Sequence, residues 1–141
     1  HLIILKTIFS VLSPFSIHYW RTTASNDELT NSIGEVVVKI DDSVYHETSK
    51  GNGPVHALDQ AFRKAIFRHF PELEKIKLIN YKVTVIDDDD GTASKVRVFI
   101  TFENESSRWS TVSVSTNILE ASVASLSEGY MYPLMINNLK K

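Results

Sequence analysis

The sequence predicts an α+β fold of two pseudo-repeated strand–strand–strand–helix units, with antiparallel sheets packed on helices. Three observations predict it. Apolar and polar residues alternate over short runs in both halves, the signature of half-buried strands. Each half then closes with one stretch whose apolar residues recur at helical spacing. The halves also run in the same order, at an offset of about 63 residues if Ala61 is set against Ala124.

The 141-residue chain is long enough for one compact domain. Residues 1–17, "HLIILKTIFSVLSPFSI", are the most apolar part. Lys6 and Pro14 interrupt them, so they are too short and broken for a membrane span. They lack the basic start and cleavage site of a signal peptide. They read as a linker or the end of a preceding segment, and the start at His rather than Met suggests a piece of a larger chain. The domain proper is expected over 18–134, with 135–141 as a tail. "HYWRTTA" is the first strand. In "EVVVKI", Val36, Val38 and Ile40 share one side, with Gly34 before them and Asp41-Asp42-Ser43 after. "VYHETSK" returns as a hairpin partner.

"GNGP" then opens the first helix. Gly53 suits the N-cap and Pro54 the first helical position, where a missing N–H costs nothing. Asn52 is expected to cap through its side chain or to take a left-handed backbone. Gly51 allows close approach. Leu58, Ala61, Phe62, Ala65, Ile66 and Phe70 form the apolar face. Arg63, Lys64 and Arg68 are expected opposite it, and Pro71 ends the helix. The second unit repeats the plan with "KLINYKVTVI", a "DDDDGT" turn, "KVRVFITFE", an "NESS" turn and "RWSTVSVS". "TNILEASVASLSEGY" is its helix, with Asn117 and Glu120 at capping-box spacing and Gly129 as a C-terminal breaker.

Several chemistries are excluded. The net charge is −2 with both signs mixed along the chain, so no nucleic-acid face is implied. There is no cysteine, which rules out disulfides and thiol chemistry and fits a reducing, cytoplasmic setting. Asp87–Asp90 lacks the spacing of a calcium loop and reads as a solvated turn. His18, His46, His56 and His69 form no metal pair. Neither G-x-S-x-G nor a phosphate-binding glycine loop is present. No catalytic set emerges, and the residues point to binding or assembly. The sharpest feature is the pair of helix entrances, whose free amides carry the positive dipole end and suit a carboxylate.

"GNGPVHALDQAFRKAI", "LINYKVTVID...GTASKVRVFI" and "WSTVSVSTNILEAS", in that order, resemble the C-terminal regulatory domain of the α-isopropylmalate synthase and citramalate synthase family. The likeness covers Tyr19 to Tyr132 and looks closer to the citramalate synthase branch. It departs at Ser113, where the family commonly has glycine, adding bulk near the second entrance. The resemblance implies a homodimeric feedback sensor that binds isoleucine or leucine near the subunit contact. It implies a catalytic barrel domain in the same polypeptide, where acetyl-CoA and a divalent metal act. No cofactor is expected in this domain. The effector contacts it implies are Asn52 and Val55 at the first entrance, and Leu78, Tyr81 and Val85 on the strand opening the second unit. Thr92 and Ser94 follow the turn, and Val114 and Thr116 precede the second helix. Leu78, Val85 and Val114 would surround the aliphatic side chain, and Asp87 or a backbone carbonyl would take the ammonium. The rival reading is a purely structural homodimerisation module whose glycine entrance is only a turn.

Overall fold

The computed structural model describes residues 13–26, 32–86 and 94–139. The apolar start at 1–12 and the Asp87–Asp90 turn lie outside the described residues. The order is β1 (Ser16–Ala24), β2 (Ser32–Ile40), β3 (Ser43–Gly51), α1 (Pro54–Ile66), a 3-10 turn (Pro71–Lys75), β4 (Lys77–Ile86), β5 (Lys95–Glu103), β6 (Arg108–Ser115) and α2 (Ile118–Leu139). Two three-stranded antiparallel sheets, β1-β2-β3 and β4-β5-β6, are each followed by a helix. This is the expected α+β pseudo-repeat.

The strand pairing fixes the offset between units at 64. Val38 opposite Tyr45 recurs as Phe102 opposite Trp109. The residues before the two helices, Gly53 and Asn117, keep the same spacing. The first strands are offset by 61, because ten residues separate the paired Val85 and Val96 where seven separate the equivalent Ala24 and Ser32. Both first strands are irregular at the same place, between Ile17 and Tyr19 and between Leu78 and Asn80. A bulge shared at equivalent positions is a designed feature of a strand rather than a defect.

The core follows from strand alternation. Val36, Val38 and Ile40 of β2 and Val98, Ile100 and Phe102 of β5 are buried. Onto them α1 lays Leu58, Ala61, Phe62, Ala65 and Ile66, and α2 lays Ala121, Leu126, Tyr130 and Leu134; all belong to one cluster. Each fully buried Leu, Ile or Phe contributes about 1.5–3 kcal/mol. Helix α1 lies close against its sheet at two glycines. A Cβ at Gly34 would stand 2.5 Å from the Ala57 backbone, and one at Gly51 2.4 Å. Only glycine permits that approach.

Two expectations about the helices are corrected. Gly129 does not end α2, which continues to Leu139. Its missing Cβ instead makes room for the Phe102 ring, which a methyl would overlap at 2.0 Å. The helix also carries Pro133 internally. A proline cannot donate to the carbonyl four residues back, here that of Gly129. The Trp109 indole N–H, at 2.9 Å, takes the vacant place. Arg63, expected on the outer face of α1, turns into the seam between the helices. Its Nε donates to Asp59 at 3.0 Å, and its guanidinium lies over the Phe67 and Tyr130 rings. Asp59 is itself buried and accepts from the Tyr130 hydroxyl. Burial pushes the Tyr130 phenol well above its usual pKa; the Asp59 carboxylate adds to this and Arg63 opposes it. Helix α1 ends at Ile66, earlier than the proline alone would require; the Phe70 amide still bonds the Ile66 carbonyl, and Pro71 opens the 3-10 turn.

Candidate functional site

The two helix entrances differ. At α1, Gly53 is extended and supplies no side-chain cap. Asn52 does not take the left-handed backbone, and its N–H donates to His56 Nδ1 at 3.0 Å. At α2, Asn117 Oδ1 accepts from the amides of Leu119 (2.8 Å) and Glu120 (3.2 Å). That entrance is filled by the protein's own side chain, so its amides are not an anion site. The capping box is half made. The Glu120 carboxylate accepts from the Ser115 hydroxyl at 3.3 Å rather than from the Asn117 amide.

Beside the α2 entrance lies an open apolar shelf. Helix α2 packs over β5 and β6 and leaves most of β4 uncovered. The pairing of Tyr81 with Ile100 and of Val85 with Val96 puts Tyr81 and Val85 on the helix-facing side. Tyr81 is 37% and Val85 62% exposed. The Tyr81 hydroxyl bonds Ser122 Oγ at 2.9 Å, which ties β4 to the first turns of α2. One turn earlier on the same helix stripe is Ile118, 42% exposed. Val85 pairs across Val96 to Ser115, so it stands at the sheet end where α2 begins. A cluster of exposed aliphatic groups beside hydroxyls and one carboxylate suits an amphiphilic ligand or a subunit contact.

The first unit has no such shelf. The position equivalent to Tyr81 is Trp20, which packs against the core, and the one equivalent to Val85 is Ala24. The bulkier ring and the smaller tip leave less open apolar surface there.

The structure brings together only some of the nine residues named from sequence. Val85, Ser94 and Thr116 belong to the same end of the second sheet, and Tyr81 lies on the face of Val85, four residues back along β4. Leu78 faces the same side but pairs with Phe102, about 20 Å along the strand from Val85, and is half-buried against the core. Val114 is opposite Arg97, a register that turns it to the other face of the sheet, so it does not join Val85 around one side chain. Asn52 and Val55 sit at the α1 entrance, on the first sheet. Thr92 lies outside the described residues, as does Asp87. Ser113 is not at the entrance. Its hydroxyl bonds Ser125, two turns into α2, at 2.9 Å. Sequence reasoning missed Ile118, Ser122 and Glu120 as members of the shelf. The signal was present in "TNILEAS", where Ile118 and Ser122 share a stripe one turn apart.

Among the described residues, no group of three or more His, Cys, Asp or Glu could hold a metal ion, and no helix is long and apolar enough to cross a membrane. The class that fold and site define is a double βββα module with an exposed apolar contact face beside its second helix. The chain belongs to the LeuA allosteric (dimerisation) domain family, which matches residues 1–133. It is 43% identical over 115 residues to an (R)-citramalate synthase of Synechocystis sp., covering 82% of this chain and 21% of that protein. It is 43% identical over 108 residues to the (R)-citramalate synthase of Geobacter sulfurreducens, covering 77% and 20%. With that of Aquifex aeolicus it shares 41% over 110 residues, covering 78% and 21%. The chain thus spans about a fifth of the length of these relatives.

Proposed function

We propose that this chain is the regulatory domain of a citramalate synthase and that it binds isoleucine or leucine to turn that enzyme down. The observation that carries the reading is the shelf of Tyr81, Val85 and Ile118, apolar, open and placed at the end of a helix. The effector's aliphatic side chain lies on that shelf. Its ammonium meets the Glu120 carboxylate, which stands beside Ser115. Its carboxylate needs donors that the capped α2 entrance no longer offers. Thr116 supplies a hydroxyl, and the uncapped amides of Val55 and His56 are at the α1 entrance on the other sheet. A second copy of the chain completes the site by bringing the two kinds of surface together.

The homodimer is therefore part of the proposal. A ligand at a contact between copies biases how the copies sit, and it shifts an equilibrium by its differential affinity for the two arrangements. Such couplings are typically about 1–3 kcal/mol. The catalytic barrel, with acetyl-CoA and its divalent metal, belongs to the rest of the polypeptide in this reading.

Isothermal titration of the chain with isoleucine, leucine, lysine and glutamate tests it. Heat and thermal stabilisation are expected with the aliphatic pair and not with the charged pair. No response to either aliphatic amino acid would leave a structural dimerisation module, for which the family match alone speaks.

A further inference from the structure

The helices of the two units share part of their buried faces. At the offset of 64, Ala57 corresponds to Ala121 and Phe62 to Leu126, all buried and apolar. Leu58 and Ala61 correspond to the buried Ser122 and Ser125, whose hydroxyls bond Tyr81, Ile118, Val98 and Ser113 within their own unit. The seam differs in that its polar partners lie across the two units. Asp59 corresponds to Val123, Arg63 to Ser127, and Tyr130 to Ile66, and apart from the half-buried Arg63 each of these side chains is buried. The polar set is thus split between the units, with Asp59 and Arg63 on α1 and Tyr130 on α2.

We propose that Asp59, Arg63 and Tyr130 form a pairing device, which makes the first unit of the chain close on the second and not on a like unit from another copy. When the first unit meets the second, every member is matched. The Tyr130 hydroxyl and Arg63 Nε donate to the two oxygens of Asp59, and the other arm of Arg63 reaches the Ile76 carbonyl at 3.3 Å. Among the described residues no buried side-chain nitrogen or oxygen lacks a partner. When a first unit meets another first unit, Ile66 stands in the place of Tyr130. Asp59 then loses its hydroxyl donor, and Arg63 loses the ring it covers. When a second unit meets another second unit, Val123 stands in the place of Asp59 and the Tyr130 hydroxyl is buried with no acceptor. Each like pairing leaves one buried oxygen without the partner it has here, Asp59 Oδ1 in the first case and the Tyr130 hydroxyl in the second. A single buried polar contact setting the choice of partner is a known physical device in helical assemblies. Exchange of similar elements between copies is a low-cost route to other assemblies, which a chain of two similar units has reason to exclude.

The test uses the whole chain as wild type, as Y130F and as the double variant D59V/Y130I, which installs at the seam the residues found at the equivalent positions. Light scattering coupled to size exclusion, from micromolar to near-millimolar concentration, is read beside thermal melting. Y130F keeps the carboxylate that penalises like pairing, so it is expected to melt earlier and remain a single species. D59V/Y130I is expected to melt cooperatively and to spread into additional, concentration-dependent species. The proposal is overturned if the double variant stays as uniform as wild type, if it fails to melt cooperatively, or if Y130F spreads as widely as the double variant.

Discussion

Tyr130 shows how much one side chain carries here. It is fully buried, packs its ring against Phe62, Phe67 and Phe102, and spends its hydroxyl on Asp59. Tyr130→Phe removes a hydrogen bond to a charged group and is expected to cost about 1.5–3 kcal/mol in denaturant unfolding. It should also change the pH dependence. The folded phenol holds its proton above the unfolded value of about 10, so this contribution is whole below that pH. As pH rises beyond it, the unfolded state releases protons that the folded state keeps, and stability falls. Unfolding midpoints between pH 9 and 11 should therefore decline less steeply in Tyr130→Phe than in wild type. Gly34 works through absence. Gly34→Ala drives a methyl into the Ala57 backbone, which cannot step aside as a flexible side chain would. A loss of about 3 kcal/mol is expected, near the upper end for overpacking, and calorimetric melting would register it.

Helix ends set what each element can offer a ligand. Asn117 spends its side chain on two amides, so Asn117→Ala should destabilise the domain by about 1 kcal/mol. The α1 entrance has the opposite character. A side chain at Gly53 meets nothing within 4 Å, and its extended backbone suits any residue. Gly53→Ser should add a cap and raise the melting temperature. It should weaken effector binding at the same time, because the new hydroxyl occupies the amides proposed for the carboxylate; stabilisation with unchanged affinity would contradict that placement. Within α2, Pro133 and Trp109 are expected to be coupled. Trp109→Phe leaves the Gly129 carbonyl unpaired and should cost about 1–3 kcal/mol beyond the lost packing. In a Pro133→Ala background the helix supplies its own N–H to that carbonyl, so the same change should cost less. A double-mutant cycle measures the difference.

At the scale of the molecule, the relevant fact is that two helices cover five strands better than six. The first unit covers the equivalent place with Trp20, while the second leaves Tyr81 and Val85 open, and that open surface is the one proposed to meet a second copy. Val85→Lys places a charge on that surface without touching the core. Saturating isoleucine is expected to stabilise the wild-type domain by about 2.7 kcal/mol at a hundred times Kd. The variant should lose most of that gain while keeping its melting temperature without ligand. Retention of the full ligand-induced shift would move the site elsewhere.

Much of this architecture was legible in the residues because it is local. Alternation at Val36, Val38 and Ile40 marks a strand wherever it lies, and "GNGP" followed by an apolar helical stripe marks a helix start from its own chemistry. The order of elements and the repeat followed from such signals, as did the family likeness. The site was less legible because it depends on faces and distances. Val114 and Val85 look equivalent as exposed valines, and only the register of β6 against β5 sends them to opposite sides of the sheet. Leu78 and Val85 share a face, yet the rise of a strand separates them. Asp59 and Arg63 look like an ordinary surface pair on α1 until α2 presents Tyr130 to them. Gly129 looks like a stop until Phe102 and Trp109 pack against it. Local propensity writes the elements. Which polar group is buried, and which apolar face is left without cover, is decided only when elements distant in sequence meet.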